Sequence, residues 1–399
     1  MGNIGNDASL EAMVLTLRHV APNAELAVVC SRPDIVTERF GLPAIAWRWP
    51  APAQGAARRL NAAFLRAPHK AVSLYRAARV LRDFDMLLVP GTGMLDDFGE
   101  RAGGVPYTVM QWTLAARLVG CRVAMASIGA GPIHGRLSRA FMMSAARLCH
   151  YLSFRDAPSR DFVVRHARID ARSEIYPDLA FALPVPPAAT GRRVDLALGV
   201  MRYRGWSNAS GGIYQIYIDR LAQFATEFLA SGRSIRLVIG ETADEEAVML
   251  LRAAVAARSG DALAGRLLYE PVRDIVAVMQ QMASADLAVA TRFHNVVAAL
   301  MVATPVISLS YGSKNDVLLA DMGLGAFTAH VETFDPVWLN ERVNALSGRR
   351  DRISAGLGVR LAAYRAALAR QGHELARLLD ATGQGAPGTG AILNQEAHQ

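Results

Sequence analysis

The chain has 399 residues, 52% hydrophobic and 20% charged, which suits two globular domains, each large enough to bury its own core. With 43 basic against 35 acidic residues the formal net charge is +8 and the pI about 9.7, pointing to anionic partners such as phosphate esters, sugar nucleotides or a phospholipid surface. The arginines are scattered through the helices rather than clustered, and no nucleic-acid module is present, which excludes nucleic acid as a partner.

Three distant cysteines, Cys30, Cys121 and Cys149, form no CxxC pair. Neither a disulfide framework nor a zinc site is indicated, and a reducing cytoplasm fits. The start carries Asp7 and Glu11 in place of a basic and then apolar leader; the most apolar uncharged run, residues 296–309, is too short to span a bilayer. The expectation is a soluble cytoplasmic protein, with peripheral contact at the inner membrane face left open.

In chain order, Gly2-Asn3-Ile4-Gly5-Asn6-Asp7 is an N–H-rich loop able to approach a phosphate or sugar hydroxyls, or simply a turn. Leu10, Met13, Val14 and Leu17 stripe the helix after it. In a βαβ unit a strand precedes such a loop. None does here, so a first strand is expected to be missing. Residues 26–30 and 86–89 read as strands, 112–119 as a helix, 122–127 as a strand, 137–148 as a helix, 151–154 as a strand and 159–166 as a helix. That alternation predicts a parallel sheet covered on both faces.

Three loops leave these strands. Gly91-Thr92-Gly93-Met94-Leu95-Asp96-Asp97 offers close backbone approach and two carboxylates, one to bind a hydroxyl or act as general base, unless it caps the next helix. Ser127-Ile128-Gly129-Ala130-Gly131-Pro132 lines a ligand or is an ordinary turn. Ser153-Phe154-Arg155-Asp156 sends Arg155 toward the ligand side of the sheet, unless Arg155 pairs with Asp156 or the segment caps a helix.

Pro184-Val185-Pro186-Pro187 opens a stiff linker, the clearest domain boundary. Beyond it, strands at 194–200, 235–239, 267–269, 286–290 and 306–309 alternate with helices near 213–229, 243–257, 274–282 and 295–302. The expected fold is α/β: two doubly wound Rossmann-like domains facing across a cleft. Their expected bounds are 1–184 and 194–351, joined by 185–193, then a helix at 352–380 packing back on the first domain and a flexible tail at 381–399.

Arg202-Tyr203-Arg204-Gly205-Trp206 follows the first strand of the second domain; Arg202 and the aromatic residues suit sugar stacking, or form a surface loop. At the fourth and fifth strand ends lie Thr291-Arg292-Phe293-His294-Asn295 and Ser310-Tyr311-Gly312-Ser313-Lys314. Only Lys70 and Lys314 among the 43 basic residues are lysines, so a lysine here marks a compact point charge. Arg292, His294 and Lys314 together predict a site for a small, multiply charged anion. The histidines show no metal-ligand spacing, and a metal-independent site is expected.

The ordered set of residues 2–7, 91–97, 127–132 and 153–159, Pro177-Asp178, Arg292-Phe293-His294 and Tyr311-x-x-Lys314 resembles the polysaccharide pyruvyl transferase family. The likeness runs over residues 2–324. It departs in the absent first strand, in Asn6-Asp7 where Gly-Asp is common, in Thr92 within a glycine run and in Phe293 where Leu is common. The resemblance implies a GT-B-like fold and transfer of the enolpyruvyl unit of phosphoenolpyruvate onto two hydroxyls of one sugar. The product is a pyruvate ketal on an exopolysaccharide or cell-envelope precursor, lipid-linked or nucleotide-linked.

It implies no cofactor, with phosphoenolpyruvate as donor substrate. His294 is the expected acid, Arg155, Arg292 and Lys314 the expected donor-anion contacts, and Asp97 or Asp96 the expected acceptor contact. Ser153, Gly91, Gly93, Gly129, Gly131, Asn3, Asn6, Arg202 and Tyr311 are expected to line the substrates. An imidazole suits the proton transfer because its ordinary ionisation lies near pH ~6.5. A GT-B glycosyltransferase using a nucleotide sugar, and a non-catalytic binder of anionic glycans, remain the alternatives.

Overall fold

The computed structural model describes residues 4–55, 58–59, 67–97, 100–170, 173–187, 192–205, 211–380 and 390–394. Asn3, Trp206 and most of the tail lie outside them. The chain divides into two compact units: Ser9–Ala182 with Ala367–His398, and Gly2–Ala8 with Leu183–Ala366.

The first unit holds a six-stranded parallel sheet of β1 (Glu25–Cys30), β2 (Ala44–Ala46), β3 (Met86–Pro90), β4 (Arg122–Ile128), β5 (Tyr151–Phe154) and β12 (Gly390–Asn394), in the order β2-β1-β12-β3-β4-β5. Runs such as Met86-Leu87-Leu88-Val89 are buried throughout, as strands covered on both faces must be. Helices α1 (Ile4–Val20), α2 (Pro33–Phe40), α3 (Ala67–Leu81), α4 (Val105–Leu118), α5 (Arg136–Arg147) and α6 (Ala157–Ala167) alternate with the strands. Trp112 on α4 anchors the core: its indole N–H donates to the Trp47 carbonyl (2.9 Å) and its ring stacks on Trp49.

Two expectations are corrected here. Within the expected flexible tail, residues 390–394 form a strand, and this β12 occupies the place between β1 and β3 that the expected missing strand would take. It pairs in parallel from Glu25↔Gly390 to Val29↔Asn394 on one side and from Ala391↔Met86 to Leu393↔Leu88 on the other. An empty slot would leave two rows of backbone groups unpaired in an apolar interior, whereas β12 satisfies both and buries Ala391, Ile392 and Leu393 completely. Asp85 locks the entry: its N–H donates to the Gly390 carbonyl, and its carboxylate accepts from Gly390 N–H, both at 2.8 Å.

The second unit carries β6 (Val194–Gly199), β7 (Ile235–Val238), β8 (Leu267–Tyr269), β9 (Ala285–Ala290), β10 (Val306–Ser310) and β11 (Thr328–His330), all parallel, in the order β11-β10-β9-β6-β7-β8. The intervening helices are α7 (Gly211–Ala230), α8 (Glu245–Ser259), α9 (Ile275–Ala283), α10 (Phe293–Met301), α11 (Ser313–Asp321) and α12 (Pro336–Ser347). The chain winds outward through β7 and β8, then returns to the other side of β6 for β9, β10 and β11. Strand order therefore reverses between β6 and β9, the place where open α/β sheets bind ligands.

The last helix, α13 (Arg350–Asp380), outlasts both sheets. Its Gln371, in the first unit, is buried and donates to Ser127 Oγ (3.1 Å) and Ser153 Oγ (2.9 Å) at the ends of β4 and β5.

Candidate functional site

The second unit's candidate site lies at the strand reversal. β9 ends at Ala290 and α10 starts at Phe293; beside it β10 ends at Ser310 and α11 starts at Ser313. Neither helix has a side-chain cap at its N-terminus, so the first-turn N–H groups of two adjacent helices present partial positive charge at the same edge.

Arg292 sits at the N-cap of α10, and its charge is already matched. Nε donates to Asp244 Oδ2 (2.5 Å), Nη2 donates to Asp244 Oδ1 (2.7 Å), and Nη2 lies 2.6 Å from Glu241 Oε2. Burial opposes the guanidinium charge, but Asp244 and then Glu241 outweigh it and hold Arg292 more firmly protonated than an ordinary arginine. Asp244 is fully buried and also accepts from the N–H of Arg202 (2.9 Å) and Gly240 (3.3 Å). The expected cationic cluster is thus a charge-balanced one at Arg292. Sequence reasoning missed both acids, although Glu241-Thr-Ala-Asp244 directly follows a buried strand and lies on the ligand side of the sheet.

His294 occupies the first turn of α10, its ring edge-on to Phe293 at 5.2 Å. The start of α1 packs against it, so tightly that only a glycine fits at Gly5, and Ile4 N–H donates to the Gly240 carbonyl (3.3 Å). Asn6 and Asp7, next on α1, are buried. Lys314 follows on α11, with Nζ over the rings of Tyr311 (4.8 Å) and Phe293 (5.8 Å). Tyr311 in turn neighbours Tyr203, whose hydroxyl donates to Glu332 (2.6 Å). Arg202, expected to contact the sugar, is exposed and leans toward Glu246 (3.6 Å). Asn295, another residue missed from sequence, is buried over two strand ends: a Cβ on Gly199 would meet its Nδ2 at 3.1 Å, and one on Gly240 its Oδ1 at 2.7 Å.

The first unit's loops are knit to one another at the sheet's carboxyl edge. Gly129 N–H donates to the Thr92 carbonyl and Gly131 N–H to the Leu95 carbonyl, both at 2.8 Å. A side chain on Gly91 would strike the Ser127 carbonyl oxygen at 2.4 Å, one on Gly129 the Arg155 guanidinium at 2.4 Å, and one on Gly93 Asp96 at 2.9 Å. Gly131 has φ +71°, a conformation that favours glycine.

Arg155 donates to Asp178 (3.3 Å) and lies 3.6 Å from Asp156, which caps α6 by accepting from Ser159 N–H (2.7 Å). Asp97 accepts from the N–H groups of His134 (3.0 Å) and Gly135 (2.7 Å), so both its oxygens brace the loop before α5. Ser153, expected to line the ligand, is buried and accepts from Ser127 N–H (3.0 Å) and Gln371. Asp96 is half-buried beside Gly93.

A known sequence profile, that of polysaccharide pyruvyl transferase, matches residues 3–313. The chain belongs to the polysaccharide pyruvyl transferase family. Membership places it among the transferases of polysaccharide biosynthesis. No curated protein shows significant similarity to it.

Solved structures reproduce the two-domain Rossmann-like, GT-B-type fold of this family member. A putative UDP-N-acetylglucosamine 2-epimerase from Listeria monocytogenes matches 97% of the chain over 96% of its own, at 13% identity and TM-score 0.62. UDP-GlcNAc 2-epimerase from Neisseria meningitidis, bound to UDP-GlcNAc, matches 95% of the chain over 97% of its own, at 12% identity and TM-score 0.61. A glycosyltransferase from Rickettsia africae matches 95% of each chain at 8% identity and TM-score 0.57. At such identities the likeness is one of fold. Among the described residues, no three His, Cys, Asp or Glu side chains converge as a metal site needs, and no helix is long and apolar enough to cross a membrane.

Proposed function

We propose that the chain transfers the enolpyruvyl unit of phosphoenolpyruvate onto two hydroxyls of one sugar, forming a pyruvate ketal and releasing phosphate. The observation that carries this reading is His294, an imidazole side chain at the N-terminus of α10, with Lys314 at the start of the neighbouring helix α11. Lys314 supplies a point charge for the phosphate or carboxylate, and the uncapped first turns of α10 and α11 supply N–H donors. Arg292 keeps Nη1 for the anion while Asp244 and Glu241 fix its orientation.

In this mechanism His294 delivers a proton to the methylene carbon of phosphoenolpyruvate, and C2 becomes electrophilic. The first sugar hydroxyl adds to C2 and gives up its proton. The C2–O bond to phosphate then breaks, phosphate departs with that electron pair, and the second hydroxyl adds at C2 with loss of its proton. The sum is one phosphoenolpyruvate and one diol giving one ketal and one phosphate. Proton delivery by a positioned side chain contributes about 100- to 10,000-fold.

The test is phosphate release from phosphoenolpyruvate, with a glycan-precursor extract as acceptor, run in parallel with nucleotide release from a panel of nucleotide sugars. Acceptor-dependent phosphate release supports pyruvyl transfer. Nucleotide release without consumption of phosphoenolpyruvate supports glycosyl transfer instead.

A further inference from the structure

Charge is not spread evenly along this chain. Residues 39–82 hold nine basic residues, eight arginines and Lys70, with no aspartate or glutamate; the other 355 residues hold 34 basic and 35 acidic ones. The entire positive excess therefore resides in one stretch, which revises the scattered distribution read helix by helix.

Some of these cations are engaged within the fold. Arg39 pairs with Glu11 (2.7 Å), Arg48 donates to Thr108 (3.0 Å) and Lys70 lies over the Tyr107 ring (4.5 Å). Arg76 and Arg79 on α3, and Arg82 just after it, are not. Ser73, Ala77 and Leu81 set the inward face of α3, and the opposite face carries Val72, Tyr75, Arg76 and Arg79, followed by Arg82, all exposed. Tyr75 is 63% and Val72 48% exposed. Among the described residues no carboxylate pairs with Arg76, Arg79 or Arg82.

An ordinary solvated helix face alternates charge signs and gains from opposite charges three or four residues apart. Here the spacing Arg76, Arg79, Arg82 sets like charges three apart around a phenol and an isopropyl group, with no acid on the helix and a single one, Asp83, directly after Arg82. The face has its own cost in self-repulsion, which a plane of negative charge removes. Guanidinium groups suit phosphodiester oxygens, and a tyrosine with an aliphatic neighbour suits the headgroup boundary. The face carries no amide side chain to read bases, and its centre is apolar and aromatic, which favours a bilayer over a polynucleotide.

We propose that this outer face of α3 docks the protein on an anionic phospholipid surface, with Arg76, Arg79 and Arg82 meeting headgroup phosphates and Val72 and Tyr75 entering the interface. This goes beyond the pyruvyl-transfer reading and holds or fails without it.

The test is co-sedimentation of the full chain with phosphatidylcholine vesicles, alone and with roughly 30 mol% phosphatidylglycerol, at low and high salt. The expected result is binding that requires the anionic lipid, falls with salt, and drops about thirtyfold or more in Arg76→Glu/Arg79→Glu, since each basic residue near such a surface contributes about fivefold. Tyr75→Ser is expected to weaken binding with its salt dependence retained. Unchanged thermal melts confirm that the variants are folded; should the double variant fail to fold, Arg79→Gln/Arg82→Gln replaces it with the same expectation, at smaller size. Wild-type binding no better to anionic than to neutral vesicles overturns the proposal. So does binding indifferent to these substitutions, or wild-type capture of single-stranded DNA under conditions where anionic vesicles are not bound.

Discussion

Gly5 lies so close to His294 that a Cβ added to Gly5 would stand 1.9 Å from the ring's Nδ1. No side chain survives that distance, so the second residue of α1 must be glycine for the imidazole to keep its place. Gly5→Ala is expected to displace the ring and reduce kcat by about a hundredfold, the scale of loss that a misplacement near 1 Å produces. Steady-state kinetics beside a thermal melt check this; a variant with wild-type kcat would show that the ring position does not matter.

Asp244 takes four donors at once, two from Arg292 and the N–H groups of Arg202 and Gly240. Removing one partner from a buried ion pair leaves an uncompensated charge and costs about 3–5 kcal/mol. Asp244→Ala is expected to destabilise the protein on that scale in urea unfolding, and to raise KM for phosphoenolpyruvate because Arg292 loses its orientation. Near-wild-type stability would mean that Glu241 alone holds the guanidinium.

Removal of residues 381–399 takes β12 out of the middle of the first sheet. The truncated chain is expected to lose cooperative unfolding, and a synthetic peptide of residues 386–399 added in trans to restore it, whereas the same peptide with Leu393→Asp does not. Thermal melts followed by circular dichroism read both. A truncated chain melting like the whole one would show that the slot closes by itself.

Cys121 offers a test of the first unit's packing through pH. Burial, reinforced by Asp85 and only partly offset by a hydrogen bond from Leu87, pushes its thiol up to about 12. The unfolded thiol ionises near pH ~8.5, so above that pH the unfolded chain releases a proton that the folded chain retains. The contribution to stability is therefore whole below the unfolded value and lost as pH rises toward the folded one. The melting temperature of the wild type is expected to fall more between pH 9 and 11 than that of Cys121→Ala; parallel curves would contradict the burial argument.

Most of the architecture was legible because buried parallel strands declare themselves as apolar runs, as at residues 86–89, 286–290 and 306–309, each followed within a few residues by glycine, arginine or lysine in the next loop. β12 was not. Its apolar content is the three residues Ala391-Ile392-Leu393 in a glycine-rich tail, and only the slot between β1 and β3 makes them a strand. In the site, His294 and Lys314 stood out as residue types at strand ends, and the structure sets them on adjacent helices. The balancing of Arg292 was hidden, because Asp244 lies 48 residues away in sequence and acids after a strand read equally well as helix caps. The same holds for Ser153 and Asp97, whose hydrogen bonds to backbone N–H groups of other loops have no signature in sequence.

The central claim is that His294 delivers the proton that opens phosphoenolpyruvate to attack by a sugar hydroxyl. Its most direct measurement uses phosphoenolpyruvate carrying carbon-13 at C2, incubated with glycan-precursor extract and followed by NMR, for wild type and His294→Ala. The account predicts that the wild type moves the label from an enol carbon to a ketal carbon with equal release of phosphate, and that the folded variant loses at least about a hundredfold in that rate. Ketal formation by His294→Ala at close to the wild-type rate, or a wild type that leaves the labelled enol untouched while releasing nucleotide from a nucleotide sugar, would contradict it.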